Sequence, residues 1–541
     1  MAVSLTEQYA HRKLVAAGTD SLWSESVAGT MTQITAGFTA GDIDTTDFLT
    51  LTEYSQKVIV LNGANKGVIE FVDTELVVPA MTTPPAVGDV LEDSSNNATG
   101  VVTSVNTAKT KIYVFPTSTV KFNGGSVTNL TGTMSPSTVS VTGTPLHGTD
   151  APIYHSFDVY PDGNAHTVTA DTKLYMACNY RGRLVLSGNP DDPFQWYMSR
   201  QLDYTDYFYS PNDAQSPVAG ANADAGKVGD LIRALIPYHD DYLIFGCAST
   251  LWYMQGDPAA GGSLNQLDDK MGIYGSSAYT WDEHGNLWLL TSAGVCRVQV
   301  ATGGLSIPEN MTANRLPKFL DDIGANPSSY RVTMGYDRKR HGIIISVTTV
   351  ATGVNDCFFY DTRTEGFFPE EYPKEDGIYS QYYYSAIDQQ YTDLLVGTKD
   401  GYIMKWDDGA KNDDIGDSDT AILSEMVFPI QKLGENADQE GKLNSLTIVL
   451  SGGGDDGAFD DTDSVDYSIY VADDAETLME NIEDDATPLY TGTLTGPGRQ
   501  FRIRDKARGA YLALKLNNSS SLQTWSVENV EGDVITVGRI N

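Results

Sequence analysis

Five basic residues lie close together near the end of an otherwise acidic chain: Arg499, Arg502, Arg504, Lys506 and Arg508. Phe501 and Ile503 alternate with two of them. Successive side chains of a strand point to opposite faces, so a strand here would place Arg502 and Arg504 on one face. Such guanidinium groups can bind carboxylates of a neighbouring subunit or phosphates of DNA. They can equally pair with acidic residues of their own domain, and the sequence leaves these three alternatives open.

No other pattern in the sequence indicates catalytic or metal-binding chemistry. Nucleophile elbows, HExxH, P-loops and dinucleotide fingerprints are absent. The cysteines are far apart and form no CxxC, which indicates buried free thiols at Cys178, Cys247, Cys296 and Cys357. Adjacent acidic pairs occur, but a chain with 72 acidic residues contains them by chance. We therefore expect no enzymatic activity, no metal and no cofactor.

The charge of the chain limits its partners. The formal net charge of its 541 residues is −37, and such a surface repels polyanions. This argues against tight wrapping of nucleic acid, although DNA could pass through a conduit with such walls; adaptation to a salty environment is the alternative. No apolar run approaches the roughly 18 residues of a membrane helix, and no secretory signal is visible at the start. We expect no membrane insertion and production in a reducing cytoplasm.

The elements that must position the basic residues are β-strands. Pairs of apolar strands joined by polar turns recur with a spacing typical of propeller blades. Six such units occur, centred on residues 57–73, 174–187, 242–254, 287–298, 343–360 and 394–406. They predict a mainly β protein with a β-propeller of about six blades. Five or seven blades are possible, because the last blade can close with an N-terminal strand, and a long β-sandwich or two sandwiches is the alternative.

Four further regions interrupt or flank these units. Residues 77–147 are rich in Thr, Val, Ser and Gly and predict a small inserted β-barrel-like domain. The last part alternates as strands do and predicts a β-sandwich-like domain, with a short helix at 476–482. Helices are also expected after Ser4 and Glu7, which have capping-box spacing, and at 313–323.

These regions give a domain organisation. It comprises an N-terminal segment (1–52), first propeller strands (53–76), the inserted domain (77–147), the propeller body (148–417) and the C-terminal β domain (418–541).

Several segments of the propeller body share a pattern of residues with one known protein family. They read RGRLVLSGNPDDPFQWYMS, DYLIFGCASTLWYMQGDP and GIYGSSAYTWDEHGNLWLLTSAGVCRV. The matching residues are Gly182, Arg183, Leu184, Pro193, Tyr197, Ser199, Ile244, Phe245, Trp252, Gly256, Gly285, Asn286, Trp288, Gly294 and Val295. These segments resemble the tail nozzle proteins of short-tailed phages, also called tail tubular or packaged-DNA stabilisation proteins. The resemblance covers roughly residues 150–410 and, more weakly, 500–541, as many weak matches rather than one diagnostic motif.

The resemblance implies a structural virion protein of the tail, assembled in the host cytoplasm. A homo-oligomer, expected to be a hexameric ring, would lie below the portal and its adaptor, retain packaged DNA and conduct it during ejection. Its partners would be the portal–adaptor protein, tail fibres or spikes, and double-stranded DNA in transient, non-specific passage.

An alternative function is a carbohydrate-binding or glycoside-acting propeller. Aromatic turns such as PFQWYM and TDYFY could stack on sugars. A generic intracellular propeller of the WD or kelch type fits less well, because the unit lengths are uneven.

Overall fold

The computed structural model describes the whole chain except residues 1, 7–11, 28, 71–73, 107, 119, 146–151, 158, 160–167, 170, 210–212, 302–303, 313–326, 373–376, 387, 407–411, 416–417, 437–438, 452–463, 496–499, 522, 524 and 540–541. The helix expected at 313–323 lies outside the described residues. The chain folds into two compact units, Met1–Lys405 and Trp406–Asn541. None of the helices in the described residues is long and apolar enough to cross a membrane.

The first unit contains seven antiparallel sheets that follow one another along the chain. The strands of the first four are β1 Ala2–Thr6, β2 Arg12–Gly18, β3 Ser21–Val27 and β4 Thr30–Gln33; β5 Thr50–Tyr54, β6 Lys57–Asn62, β7 Asn65–Glu70 and β14 Ile153–Ser156; β15 Met176–Tyr180, β16 Arg183–Ser187, β17 Trp196–Met198 and β18 Val218–Ala219; β19 Ile232–Tyr238, β20 Tyr242–Cys247, β21 Leu251–Gln255 and β22 Ser263–Asp268.

The other three sheets complete the series. Their strands are β23 Tyr279–Trp281, β24 Leu287–Thr291, β25 Gly294–Val298 and β28 Glu309–Asn310; β29 Tyr330–Asp337, β30 Gly342–Thr349, β31 Asn355–Asp361 and β32 Gly366–Glu370; β33 Ile378–Tyr384, β34 Asp393–Thr398 and β35 Ile403–Lys405. A small hairpin, β26 Val300–Ala301 and β27 Gly304–Leu305, precedes β28. Single 3₁₀ turns occur at Pro258–Ala260, Pro327–Ser329 and Gln389–Tyr391.

The sheets are arranged as a β-propeller. At six of the seven junctions between consecutive sheets the first strands contact each other, and these include the junction between β33 of the last sheet and β1 of the first. Between the fourth and fifth sheets the link is a hydrogen bond from the Tyr279 hydroxyl to the Leu235 carbonyl, 3.5 Å. First strands that surround a common axis in this way define a propeller.

Each of the six sequence units forms a hairpin inside a different sheet, and the seventh sheet is the N-terminal one, residues 2–33. The helix expected there from Ser4 and Glu7 is wrong: β1 pairs antiparallel with β2. Val15 and Leu22 of this sheet are fully buried in a core shared with the second sheet. Burial of these apolar residues outweighs the local capping pattern.

The inserted domain is a six-stranded sheet that closes on itself. Its strands are β8 Thr74–Val77, β9 Val90–Asp93, β10 Ala98–Val105, β11 Lys111–Pro116, β12 Ser126–Asn129 and β13 Thr138–Ser140, in the order β13-β12-β9-β10-β11-β8. The Thr142 amide, just beyond β13, donates to the Val77 carbonyl of β8 at 2.7 Å. The two ends of the sheet therefore meet, as in a small barrel, around a separate core that includes Leu91, Val102 and Phe122.

The second unit is a β-sandwich. One sheet has the order β38-β45-β41-β42, with β39 also paired to β45; the other has β40 at its centre, flanked by β43 and β44 on one side and β46 on the other. The strands of this unit are β36 Asp413–Ile415, β37 Ser418–Thr420, β38 Ser424–Val427, β39 Gln431–Lys432, β40 Gln439–Ser451, β41 Ser464–Ala472, β42 Tyr490–Thr495, β43 Gln500–Ile503, β44 Arg508–Gly509, β45 Tyr511–Asn518 and β46 Ser526–Arg539. One apolar core draws residues from both sheets. The short helix expected near residue 476 is confirmed as α1, Ala475–Glu483, capped by the Asp474 carboxylate.

Candidate functional site

The basic residues near the end of the chain form an exposed row on the second unit. Arg502, Arg504, Lys506 and Arg508 are all exposed, whereas Ile503 and Ala507 between them are buried. We call these four basic residues the basic strip. Arg502 and Arg504 are both exposed, but β43 ends at Ile503, so the predicted strand includes Arg502 and not Arg504. Arg499 lies outside the described residues.

Pairing with the central strand β40 produces this alternation. Phe501 lies opposite Ile448, and Ile503 lies opposite Leu446. These residues belong to the apolar core between the two sheets. The side chain of Arg502, which lies between them, must therefore point away from the core.

The basic strip is only partly neutralised by its surroundings. The Arg508 Nε lies 2.6 Å from the Glu440 Oε2, so local pairing holds for this residue. The Arg502 Nη2 donates to the Ser445 hydroxyl at 3.2 Å, which leaves its charge uncompensated. Among the described residues, Arg502, Arg504 and Lys506 form no ion pair. The strip therefore presents three cations that an external anionic surface could neutralise.

A second exposed surface of the same unit is apolar. Among the described residues, β46 pairs with a neighbouring strand on one side only, and so does β38. Their starts lie close together, since the Trp525 indole donates to the Ser424 hydroxyl at 2.7 Å. Apolar side chains before and along β38 and in the second half of β46 are 40–60% exposed, namely Ile422, Leu423, Met426, Val427, Val534, Ile535 and Val537. We call this set the open edge.

An exposed, long and apolar strand edge is a site where another chain can pair or pack. The open edge was not predicted from the sequence. The signal was the run DVITV at 533–537, which alternation alone cannot assign to a core or to a surface.

The described residues contain no group of three His, Cys, Asp or Glu that could hold a metal ion. The expectation of buried free thiols is confirmed for Cys178, Cys247, Cys296 and Cys357. Burial raises the pKa of the Cys247 and Cys357 thiols to about 12.

The aromatic turns suggested for sugar stacking are largely inside the protein. In PFQWYM, Trp196 is fully buried and Tyr197 is 6% exposed, and in TDYFY, Tyr207 is fully buried. Phe194 is 40% exposed, and Phe208 and Tyr209 are partly buried. Buried rings cannot stack on a sugar, and Trp196, Tyr197 and Tyr207 instead belong to apolar cores of the first unit.

Comparison with known proteins identifies no family. No protein-family model matches the chain, and no curated protein matches it.

Several solved structures resemble the chain remotely. The extracellular domain of a protein described as the one-component system BT4673 of B. thetaiotaomicron has 11% identity, covering 98% of this chain and 68% of that one with a TM-score of 0.32. A protein from Lactobacillus plantarum has 9% identity over 68% of this chain and 93% of its own, with a TM-score of 0.25. A chain described as a dipeptidyl aminopeptidase IV from Bacteroides ovatus ATCC 8483 has 12% identity over 72% and 63%, with a TM-score of 0.23. Likeness at this level carries no argument about function.

Proposed function

We propose that this chain is a structural, non-enzymatic virion protein: a tail nozzle subunit of a short-tailed phage. Copies of it form a hexameric ring below the portal–adaptor, retain packaged DNA and conduct it during ejection. Tail fibres or spikes are the other partners.

The residues that carry the resemblance are scaffold residues in this chain, which fits a structural role. Arg181 and Gly182 form the tight turn between β15 and β16 with φ of 54° and 71°. Positive φ at both positions is typical of the turns that join hairpin strands. Arg183 and Trp288 are buried, at 0% and 2% exposure.

The observation that carries the proposal is the pair of unlike contact surfaces on the second unit. A ring formed by rotation needs two different, complementary faces on each subunit. The basic strip offers uncompensated positive charge in a chain of net charge −37, so the surface of another copy is its natural complement. The open edge offers apolar area that a neighbour can cover.

The acidic balance also suits a conduit. Affinity for double-stranded DNA comes mostly from Lys and Arg that displace counterions from the phosphates. With 35 basic against 72 acidic residues, the chain can surround DNA without holding it strongly.

Ring assembly tests the proposal. We expect the isolated chain to be monomeric or weakly associated, and electron microscopy to show six-fold rings once a portal–adaptor complex of a short-tailed phage is added. The triple variant Arg502→Gln, Arg504→Gln, Lys506→Gln should lose these rings. Raising the salt from about 50 mM to about 500 mM should weaken them in the wild type, since exposed charge pairs are screened.

The matched control is Lys109→Gln, Lys270→Gln, Lys405→Gln, which removes the same charge from exposed positions of the first unit. It should assemble like the wild type. Single particles under every condition would refute the ring, and rings from the Arg502/Arg504/Lys506 variant would remove the basic strip from the interface.

A further inference from the structure

We propose that one end of the propeller axis carries a binding pocket for a small ring compound with a carboxylate, in which Arg233 binds the carboxylate and Phe48 and Tyr175 contact the ring. A cavity of about 290 Å³ lies there, lined mainly by apolar side chains such as Leu231 and Pro190. This pocket belongs to a single subunit, so the proposal does not depend on ring assembly or on the nozzle function.

The position of the cavity follows from the fold. Phe48 lies two residues before β5, Tyr175 lies directly before β15, and Arg233 is the second residue of β19. These are first strands of consecutive sheets, and first strands run in the same direction around a propeller axis. Their starts therefore meet at one end of the axis, where side chains from several sheets converge on one cavity.

Arg233 supplies a cation without a local counter-ion. Its side chain is partly buried and forms no ion pair with any of the described residues. Its Nη1 has one long contact, 3.4 Å to the Ile273 carbonyl. A guanidinium group against apolar walls is poorly hydrated, and its planar fork matches the two oxygens of a carboxylate.

Phe48 supplies the ring-binding wall. It is 41% exposed, although it lies beside the axis. The Arg331 guanidinium lies 4.6 Å from the Phe48 ring centroid and 5.0 Å from that of Tyr379, so it is held between the two rings. A cation on one face of an aromatic ring draws electron density toward itself, which makes the ring more compatible with an electron-rich or anionic ligand. Arg331 is therefore a positioning residue that acts through Phe48.

The volume of the cavity and the side chains that line it indicate which class of ligand fits. A volume of about 290 Å³ is at the lower limit of small-molecule pockets, and it suits one ring rather than an oligosaccharide or a duplex. Few polar side chains line the cavity, Arg233, Asn189 and Ser276 among them. A sugar would leave several hydroxyl groups without partners, whereas an apolar ring with a single carboxylate would not.

Isothermal titration calorimetry with three probes tests this pocket. We expect phenylacetate to bind the purified full-length chain with a dissociation constant of about 1 mM, as is usual for a ligand of this size. Phenylacetamide, which lacks the charge, should bind at least about tenfold more weakly, since a hydrogen bond to a charged group is lost. The third probe, acetyl-Asp-Phe-amide, carries an aromatic ring and a carboxylate on a peptide. Tighter binding of this probe than of phenylacetate would indicate that the pocket binds a peptide.

Variants locate the binding. Arg233→Gln should weaken phenylacetate binding about tenfold, and Phe48→Leu should weaken it while keeping an apolar side chain in place. The matched control is Arg338→Gln, at the opposite end of β29 from Arg331, which should bind like the wild type. Circular dichroism confirms that each variant is folded. Equal binding of the acid and its amide, wild-type affinity of Arg233→Gln, or no binding by the folded wild type would overturn the proposal.

Discussion

The Nε and one terminal nitrogen of Arg183 both lie 3.1 Å from the same carboxylate oxygen of Asp257. The arginine side chain has no exposed surface. Its remaining donors reach backbone carbonyls of the segment between β17 and β18, at Ala214, Gln215 and Ser216, and that of Ser199. One buried guanidinium thus joins the third sheet to a loop of the fourth.

We expect Arg183→Met to reduce the free energy of unfolding by about 3–5 kcal/mol, because removing one partner leaves Asp257 and several carbonyls unsatisfied. The measurement is urea unfolding of the purified chain. Arg363→Met is the control: this side chain is 63% exposed beside Asp361, and its loss should cost less than about 1 kcal/mol. Similar midpoints for both variants would show that Arg183 does not stabilise the third sheet.

Trp252 of β21 and Trp288 of β24 differ in burial. Trp288 is 2% exposed, donates to the Asp282 carboxylate at 3.0 Å and packs against Tyr360. Trp252 is only partly buried. We expect Trp288→Ala to cost about 3–5 kcal/mol and Trp252→Ala clearly less. Thermal unfolding compares them, with Trp281→Ala, 37% exposed in the wild type, as the control. An equal loss at all three positions would contradict this ranking.

We expect Lys66 to make the free energy of unfolding increase with pH in the alkaline range. Its side chain is 8% exposed, and burial lowers its pKa from 10.5 to about 8. Between these values the unfolded chain binds more protons than the folded one, so stability rises with pH through this window. Relative to Lys66→Met, the wild type should gain about 1 kcal/mol between pH 7 and pH 9. Urea unfolding at both values measures the difference; parallel changes in the two proteins would mean that Lys66 titrates normally.

The four thiols should be unreactive in the folded chain. Each is buried, and burial raises the pKa of every one of them. Since the thiolate is the nucleophile, iodoacetamide at pH 8 should label none of them at a significant rate. In guanidinium chloride all four should react, as counted by mass spectrometry. Rapid native labelling of any cysteine would show that its strand opens.

Sequence patterns correctly predicted those elements that depend mainly on residues close together in the sequence. The β-hairpins predicted from Lys57, Tyr242 and Leu287 are confirmed. Two apolar runs that flank a polar turn are compatible with few structures other than a hairpin. The alternation of exposed Arg502 and Arg504 with buried Ile503 could likewise be predicted from neighbouring residues.

Features that depend on distant partners were missed. The capping residues at Ser4 predicted a helix, but that segment is a strand because its partner is β2 and its sheet contacts β33 and β5. The pocket at Phe48 and Arg233 joins residues far apart in the sequence, which no local window can bring together.

Closure of the propeller has a consequence for its synthesis. The Tyr384 hydroxyl donates to the Arg12 carbonyl at 3.1 Å, across 372 positions of sequence, and also contacts the Glu25 carboxylate. At ordinary translation rates the ribosome needs roughly 20 to 75 seconds to make the intervening chain. During that interval the N-terminal sheet has no neighbour on one side, and its unpaired face is open to other nascent chains. We therefore expect this chain to be most prone to aggregation during synthesis on crowded polysomes rather than after folding. Exchange of the N-terminal sheet between copies is expected at the same stage.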